Sequence, residues 1–206
     1  MSAAAPAVQL LLLPAHQGAG IGAAQQPAGL LPRWQAIYGD PCVAQHDWQR
    51  PRSGDWQIQL EQAVLHSQRP VALLAEGLGC QLVARWAQHS RHARRVLAAL
   101  LLAPLDVETE QYQHQLPSWQ PMAHTRLPFA SQLLLPRPMA GAPLQRMQQM
   151  AAHWGSSLRW LDEEHGKGQG AQPPAAPLGP LRLALQGLLA SAAVALPGQG
   201  AHWPTD

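Results

Sequence analysis

The sequence contains few charged residues and no long apolar run. Only 13% of its 206 residues are charged, roughly half the usual share, and the formal net charge is +2. Lys167 is the only lysine. With so little positive charge and no long basic run, binding to nucleic acid is not expected. No apolar stretch approaches the roughly 18 residues of a membrane-spanning helix, so no membrane contact is expected either.

Cysteine is also scarce, and this bears on the compartment. Two cysteines, Cys42 and Cys80, cannot form a disulfide-rich scaffold, and we expect both to be free thiols. The apolar start of the chain lacks the basic residues of a secretory signal, since the first arginine is Arg33 and Pro14 ends the apolar run. These features predict a cytoplasmic protein. The spacing of histidines, cysteines and glycines matches no metal or nucleotide motif, so we expect no metal site and no cofactor.

What the chain does contain is a series of short apolar runs that alternate with helical patterns. Short runs bounded by proline, glycine or polar residues favour buried strands, and apolar residues every three or four positions favour helices. The predicted strands are Val8–Leu13, Cys42–Gln45, Val71–Ala75, Val96–Leu102, Gln132–Leu135 and Ser157–Leu161. The predicted helices are Leu30–Ile37, Asp55–Ser67, Gln81–His89, Pro143–Trp154 and Leu181–Ala195.

This alternation predicts an α/β fold, a three-layer sandwich with a mostly parallel sheet. We expect a single domain over residues 1–206, with a core from about 8 to 195 and a flexible tail from about 196 to 206. The chain is rich in tryptophan, with eight residues. Trp34, Trp48 and Trp56 are expected in the core or in a cleft wall, and Asp47 and Asp106 in turns.

The segment from Leu74 to Cys80 carries the most functional information. In an open parallel sheet, ligands bind beyond the carboxyl ends of the strands. The segment reads as the end of a strand, a glycine-lined turn and the start of a helix, which is the geometry of a nucleophile elbow. In the elbow pattern, small residues flank the nucleophile. The nucleophile position is Gly77, which has no side chain.

Five further segments strengthen this interpretation, because they occur in order along the chain. They are Leu11 to Pro14, Arg33 to Gln35, Asp47 to Pro51 with Trp56 beyond, Leu102 to Glu108, and Leu127 to Ser131. With the turn at Gly77, they make the chain similar, from about Leu10 to about Leu189, to the family of small serine hydrolases that includes retinoblastoma-binding protein 9 and YdeN. The resemblance implies an α/β-hydrolase fold and a Ser-His-Asp triad that acts on small esters or amides.

The resemblance also assigns the triad positions, and two of the three lack the expected group. The family's H-S-L-G-C elbow corresponds to Glu76 to Cys80, so Gly77 stands in place of the serine. The family's acid falls at Met139 or the proline before it, in a turn without a carboxylate. The family's histidine corresponds to His165. Acyl transfer needs a nucleophile, a base and a group that orients the base. The resemblance therefore predicts a degenerate serine hydrolase without catalytic activity.

Such a protein could keep a pocket for a small ester-like or amide-like molecule, or it could serve in protein interaction. The expected pocket residues are Ala15, His16, Glu76, Gly77 and Leu78. Glu76 is interpreted as a polar pocket residue paired with a nearby arginine or histidine, because a carboxylate nucleophile would have to occupy the apex one residue later.

An alternative is an active hydrolase with a non-standard nucleophile. His165 would then serve as the base, and a water molecule or the Cys80 thiol would attack the carbonyl. Against this, Cys80 lies at the start of the predicted helix, where a buried packing role is the simpler interpretation.

Overall fold

A computed structural model describes residues 8–15, 30–161 and 178–194. The strands are β1 (Gln9–Leu13), β2 (Val71–Glu76), β3 (Val96–Leu102), β4 (Ala130–Pro136) and β5 (Ser157–Leu161). The α-helices are α1 (Leu30–Tyr38), α2 (Ser53–His66), α3 (Leu78–His89), α4 (Glu110–Gln113), α5 (Gly141–Trp154) and α6 (Leu178–Val194). Two short 3₁₀ turns cover Arg91–Arg95 and Pro117–Trp119.

The five strands form one parallel sheet in the order β1-β2-β3-β4-β5. Each strand therefore pairs with its neighbours in the sequence, and every connection must cross over one face of the sheet. The three central strands are almost wholly apolar, because helices cover both of their faces.

Alternate residues of the strands point into two separate cores. One core contains Leu73 and Leu101 and is covered by α2, α3 and α5. The other contains Leu74 and Leu100 and is covered by α1 and α6. This confirms the predicted three-layer α/β sandwich. No helix in the described part of the chain is long and apolar enough to cross a membrane.

Most of the described tryptophans lie in or against the first of these cores, and several of their indoles donate hydrogen bonds at its edges. Trp56 lies edge-on to both Trp48 and Trp119, with ring centroids 5.3 and 5.4 Å apart. The Trp119 indole donates a hydrogen bond of 2.9 Å to the Pro51 carbonyl, and this ties the largely irregular stretch after β3 to the start of α2. In the other core Trp34 is buried. The core positions predicted for Trp34 and Trp56 are confirmed.

Most predicted elements differ from the structure by one to three residues at an end, and two of the differences have a clear physical reason. The segment predicted as a strand from Cys42 to Gln45 forms only one parallel bridge, between Cys42 and Leu12. Proline at position 41 has no N–H to donate, and the chain turns away at Asp47, whose carboxylate accepts hydrogen bonds from the next backbone N–H groups. Helix α3 begins at Leu78 rather than at Gln81, because the turn at residue 77 leads directly into the helix.

Candidate functional site

The turn between β2 and α3 lies at the carboxyl edge of the sheet, where the sequence placed the candidate site. Gly77 has φ 56° and ψ −115°, in the positive-φ region that side chains other than glycine seldom occupy. Its N–H donates to the Leu102 carbonyl (3.0 Å), and its own carbonyl accepts from the Leu105 N–H (3.1 Å). The backbone therefore has the sharp strand-to-helix geometry of a nucleophile elbow, anchored to the end of β3.

Ala15 covers the place where a side chain on residue 77 would begin. A Cβ atom added to Gly77 would lie 3.1 Å from the Ala15 Cβ and 3.7 Å from its Cα. The first of these distances is tighter than most contacts between real Cβ atoms. The space above the elbow is thus already partly filled by the methyl group of Ala15, which lies two residues after β1.

Gly79 has a different role in the same turn. A Cβ atom on this residue would lie 2.3 Å from the Leu13 carbonyl oxygen, a distance that no real structure tolerates. Glycine is therefore required where the start of α3 packs against the end of β1.

Glu76 lies immediately before the turn and is partly buried. Burial raises the pKa of its carboxyl group, and hydrogen bonds from the backbone N–H groups of Leu31 and Leu30 oppose that rise. The carboxylate thus interacts with the first residues of α1, which an acidic group there stabilises. Among the described residues these two backbone N–H groups are its hydrogen-bond partners, and the expected arginine or histidine partner stays a prediction.

The Cys80 thiol does not fit the alternative role of nucleophile. The residue is fully buried, and its sulfur lies 3.4 Å from the carbonyl oxygens of Ala75 and Leu102. Burial raises the pKa of the thiol well above its usual value, so the reactive thiolate is disfavoured. The packing interpretation of Cys80 agrees with the structure.

The turn after β4, where the resemblance places the triad acid, contains no carboxylate. Met139 is half-buried there and packs against the core that α2, α3 and α5 cover. The Arg137 guanidinium lies 4.8 Å from the centre of the Trp160 ring. His16 and His165 lie outside the described residues, so their placement stays a prediction.

Two nearby carboxylates form an ion-pair cluster that the sequence analysis did not find. Arg146, on α5, binds Asp106 through its Nε (2.8 Å) and Glu108 through a terminal nitrogen (2.9 Å). The Asp106 carboxylate also accepts the Glu108 N–H, which agrees with the predicted turn role. The hydrogen bond from Arg146 lowers the pKa of Asp106 despite partial burial. The two acids and the arginine are 38 and 40 residues apart, and no local pattern pairs them.

The predicted pocket residues are only partly tested by this geometry. Ala15, Glu76, Gly77 and Leu78 do lie together at the elbow. Two surface depressions of about 430 and 320 Å³ lie elsewhere: one between α2 and α3, the other beside β1 and the Cys42 bridge. That the elbow residues line a ligand pocket therefore stays a prediction.

Comparison with known proteins relates the chain to a family. A family model described as "Serine hydrolase" matches residues 26–167, which is more than half of the chain. The chain belongs to the serine hydrolase family. This confirms the resemblance drawn from the sequence, and that the turn at Gly77 is the elbow of this family member stays a prediction. No curated protein matches the sequence.

Several solved structures share the fold of this family member. A protein described as a YdeN-like hydrolase from Pectobacterium atrosepticum is 15% identical, with a TM-score of 0.64 over 92% of this chain and 93% of that one. The ydeN gene product of B. subtilis is 13% identical, with a TM-score of 0.56 over 76% and 86%. Esterase 2 of Thermogutta terrifontis is 14% identical, with a TM-score of 0.54 over 94% and 86%. At these identities the likeness establishes the α/β-hydrolase fold.

Proposed function

We propose that this serine hydrolase family member is catalytically inactive and uses its retained fold for binding. The observation that carries the proposal is the backbone of Gly77, which has the conformation of a nucleophile elbow but no side chain to attack a carbonyl. Glycine adopts this conformation at little cost, whereas serine would be strained. The substitution therefore relieves strain in the turn and removes the nucleophile at once.

The turn after β4 supports the same proposal. Met139 packs into the core where the triad acid would orient a histidine, so nothing in that turn fixes a base. Loss of one triad member costs on the order of 10⁴-fold in rate, and further losses add little because the triad acts as a unit.

Although the turn lacks a nucleophile, it keeps the backbone N–H groups of an elbow. In an elbow, the N–H of the residue after the apex donates to a bound carbonyl oxygen, and that residue here is Leu78. A small ester-like or amide-like molecule could accept a hydrogen bond from this N–H, and no nucleophile would lie beside its carbonyl group. A backbone carbonyl of a protein partner could accept the same hydrogen bond.

The test measures covalent labelling and turnover. We expect a fluorophosphonate probe to leave the protein unlabelled, while an active serine hydrolase of the same fold is labelled under identical conditions. Hydrolysis of a small activated ester should not exceed that of a Cys80→Ala, His165→Ala double variant. Steady turnover that either single substitution abolishes would contradict the proposal and support a hydrolase with a non-standard nucleophile.

A further inference from the structure

An exposed histidine pair lies where the segment before β4 crosses the C-terminal end of α5. The Nδ1 atoms of His124 and His153 are 3.0 Å apart, and their rings stand nearly perpendicular at 88°. The backbone beside both residues is held in place. The Trp154 indole donates to the Ala123 carbonyl (2.8 Å), and the Leu127 N–H donates to the Trp154 carbonyl (3.0 Å).

A fixed carboxylate stands on the other side of the first histidine. Glu108 Oε1 lies 3.9 Å from His124 Nε2. The same carboxylate accepts the Met122 N–H (3.0 Å) and an Arg146 N–H (2.9 Å). Histidines that bind metals commonly have a carboxylate at their second nitrogen, where it orients the ring.

We propose that His124 and His153 bind a divalent transition metal ion that prefers imidazole, such as Ni²⁺ or Cu²⁺. With metal–nitrogen bonds of about 2.1 Å, the 3.0 Å between the two Nδ1 atoms corresponds to an angle of about 90° at the metal. That angle suits the tetragonal geometry of Ni²⁺ and Cu²⁺ better than the tetrahedral geometry of Zn²⁺.

The residues around the two histidines determine the charge near the proposed metal and the number of its protein ligands. His153 lies in the last turn of α5, where the helix dipole favours positive charge. Within residues 8–15, 30–161 and 178–194, no group of three or more histidine, cysteine, aspartate or glutamate side chains is arranged to hold a metal. Among the described residues, the protein ligands of the proposed site are therefore the two histidines.

Metal binding needs only a small rearrangement of protons. A hydrogen bond between the two Nδ1 atoms, 3.0 Å apart, requires that one of them carries the proton. Both Nδ1 lone pairs must face the metal, so the donating ring moves its proton to Nε2. When that ring is His124, the new Nε2–H faces the Glu108 carboxylate, which stabilises it.

Calorimetric titration with Ni²⁺ tests this site, and the protein must carry no histidine tag. The chain has 10 histidines, so the informative quantity is the change in the tightest site. We expect His124→Ala and His153→Ala each to weaken that site at least about tenfold, since each removes one of two protein ligands. His114→Ala, at an exposed histidine elsewhere on the surface, should bind as the wild type does. Equal Ni²⁺ affinity in the wild type and His124→Ala would show that the proposal is wrong.

A thermal melt gives a second readout that does not depend on activity. Ni²⁺ joins the segment around His124 to α5, so it should raise the Tm of the wild type and of His114→Ala. It should not raise the Tm of His124→Ala or His153→Ala. Both histidines are exposed, so both variants should fold, which circular dichroism checks. A Tm rise that persists in both variants would place the bound metal elsewhere and overturn the proposal. The site is independent of the proposed function at the elbow.

Discussion

Single residues decide the shape of the β2–α3 turn, and two glycines do so for different physical reasons. Gly77 is required by its backbone angles, whereas Gly79 is required by lack of space. The two requirements predict different responses to substitution.

Gly79→Ala should destabilise the protein strongly. Its methyl group would meet the Leu13 carbonyl oxygen at 2.3 Å, and relief requires α3 to shift away from β1. We expect a loss of about 3 kcal/mol in the free energy of unfolding, measured by urea denaturation. Gly54→Ala is the matched control, because it also lies in a helix and nothing lies within 4 Å of its added Cβ. The control should be neutral or stabilising by up to about 1 kcal/mol. Equal effects of the two substitutions would refute the steric argument.

Gly77→Ser should destabilise through both strain and contact. The positive φ angle alone costs about 2 kcal/mol, and the new Cβ would press on Ala15, 3.1 Å away. Ala15→Gly removes the contact but not the strain. Denaturation of the wild type, the two single variants and the double variant should give a favourable coupling of about 1 kcal/mol between the two substitutions. Strictly additive effects would show that Ala15 does not restrict the side chain at position 77.

At the scale of secondary-structure elements, Glu61 joins α2 to α3 and to the 3₁₀ turn that follows. Its carboxylate accepts hydrogen bonds from the Trp86 indole (2.5 Å) and the Ser90 hydroxyl (2.6 Å), and it pairs with His92 Nδ1 (2.5 Å). Burial raises the pKa of this carboxyl group, but the hydrogen bonds from Ser90, His92 and Trp86 outweigh burial and lower it overall.

The lowered pKa of Glu61 predicts how stability depends on pH. A carboxyl group whose pKa is lowered by folding stabilises the folded protein fully when the pH is above the pKa of the unfolded chain. This stabilisation disappears as the pH falls through the pKa of the folded protein. The free energy of unfolding should therefore fall more steeply for the wild type than for Glu61→Gln as the pH is lowered below 4.5, the ordinary pKa of a glutamate carboxyl group. Urea denaturation between neutral pH and pH 3 checks this. Glu110→Gln, at an exposed glutamate, should follow the wild type. A Glu61→Gln curve parallel to the wild type would contradict the assignment.

At the scale of the whole molecule, the two helical layers must each cover one face of the sheet. Substitutions in α6 can test whether this helix covers the sheet with one particular side, because a buried and an exposed leucine lie two residues apart in it. Leu181 is 0% exposed and belongs to the core that α1 and α6 cover, whereas Leu183 is 69% exposed. Leu181→Ala should cost about 3 kcal/mol in the free energy of unfolding, and Leu183→Ala should change it by less than about 0.5 kcal/mol. Similar losses for both would mean that α6 does not pack in this orientation.

Most of the strands and helices could be predicted from the pattern of apolar residues in the sequence. β3 and β5 were predicted with the bounds that the structure has, because buried parallel strands are short apolar runs and the pattern is local. The elbow was also predictable, since its glycines and its place between a strand and a helix lie within seven consecutive residues. The single bridge at Cys42 was not, because the length of an edge strand depends on a neighbour far away in the sequence.

Contacts between distant segments were decided only by the tertiary structure. The ion pairs of Arg146 with Asp106 and Glu108 join α5 to the loop between β3 and α4. Likewise, Ala15 covers Gly77 only after β1 and β2 have paired. A sequence specifies local propensity and burial, so it identifies strands, turns and a missing side chain. Which atoms fill the space left by that side chain depends on how the layers pack, and packing is a property of the whole fold.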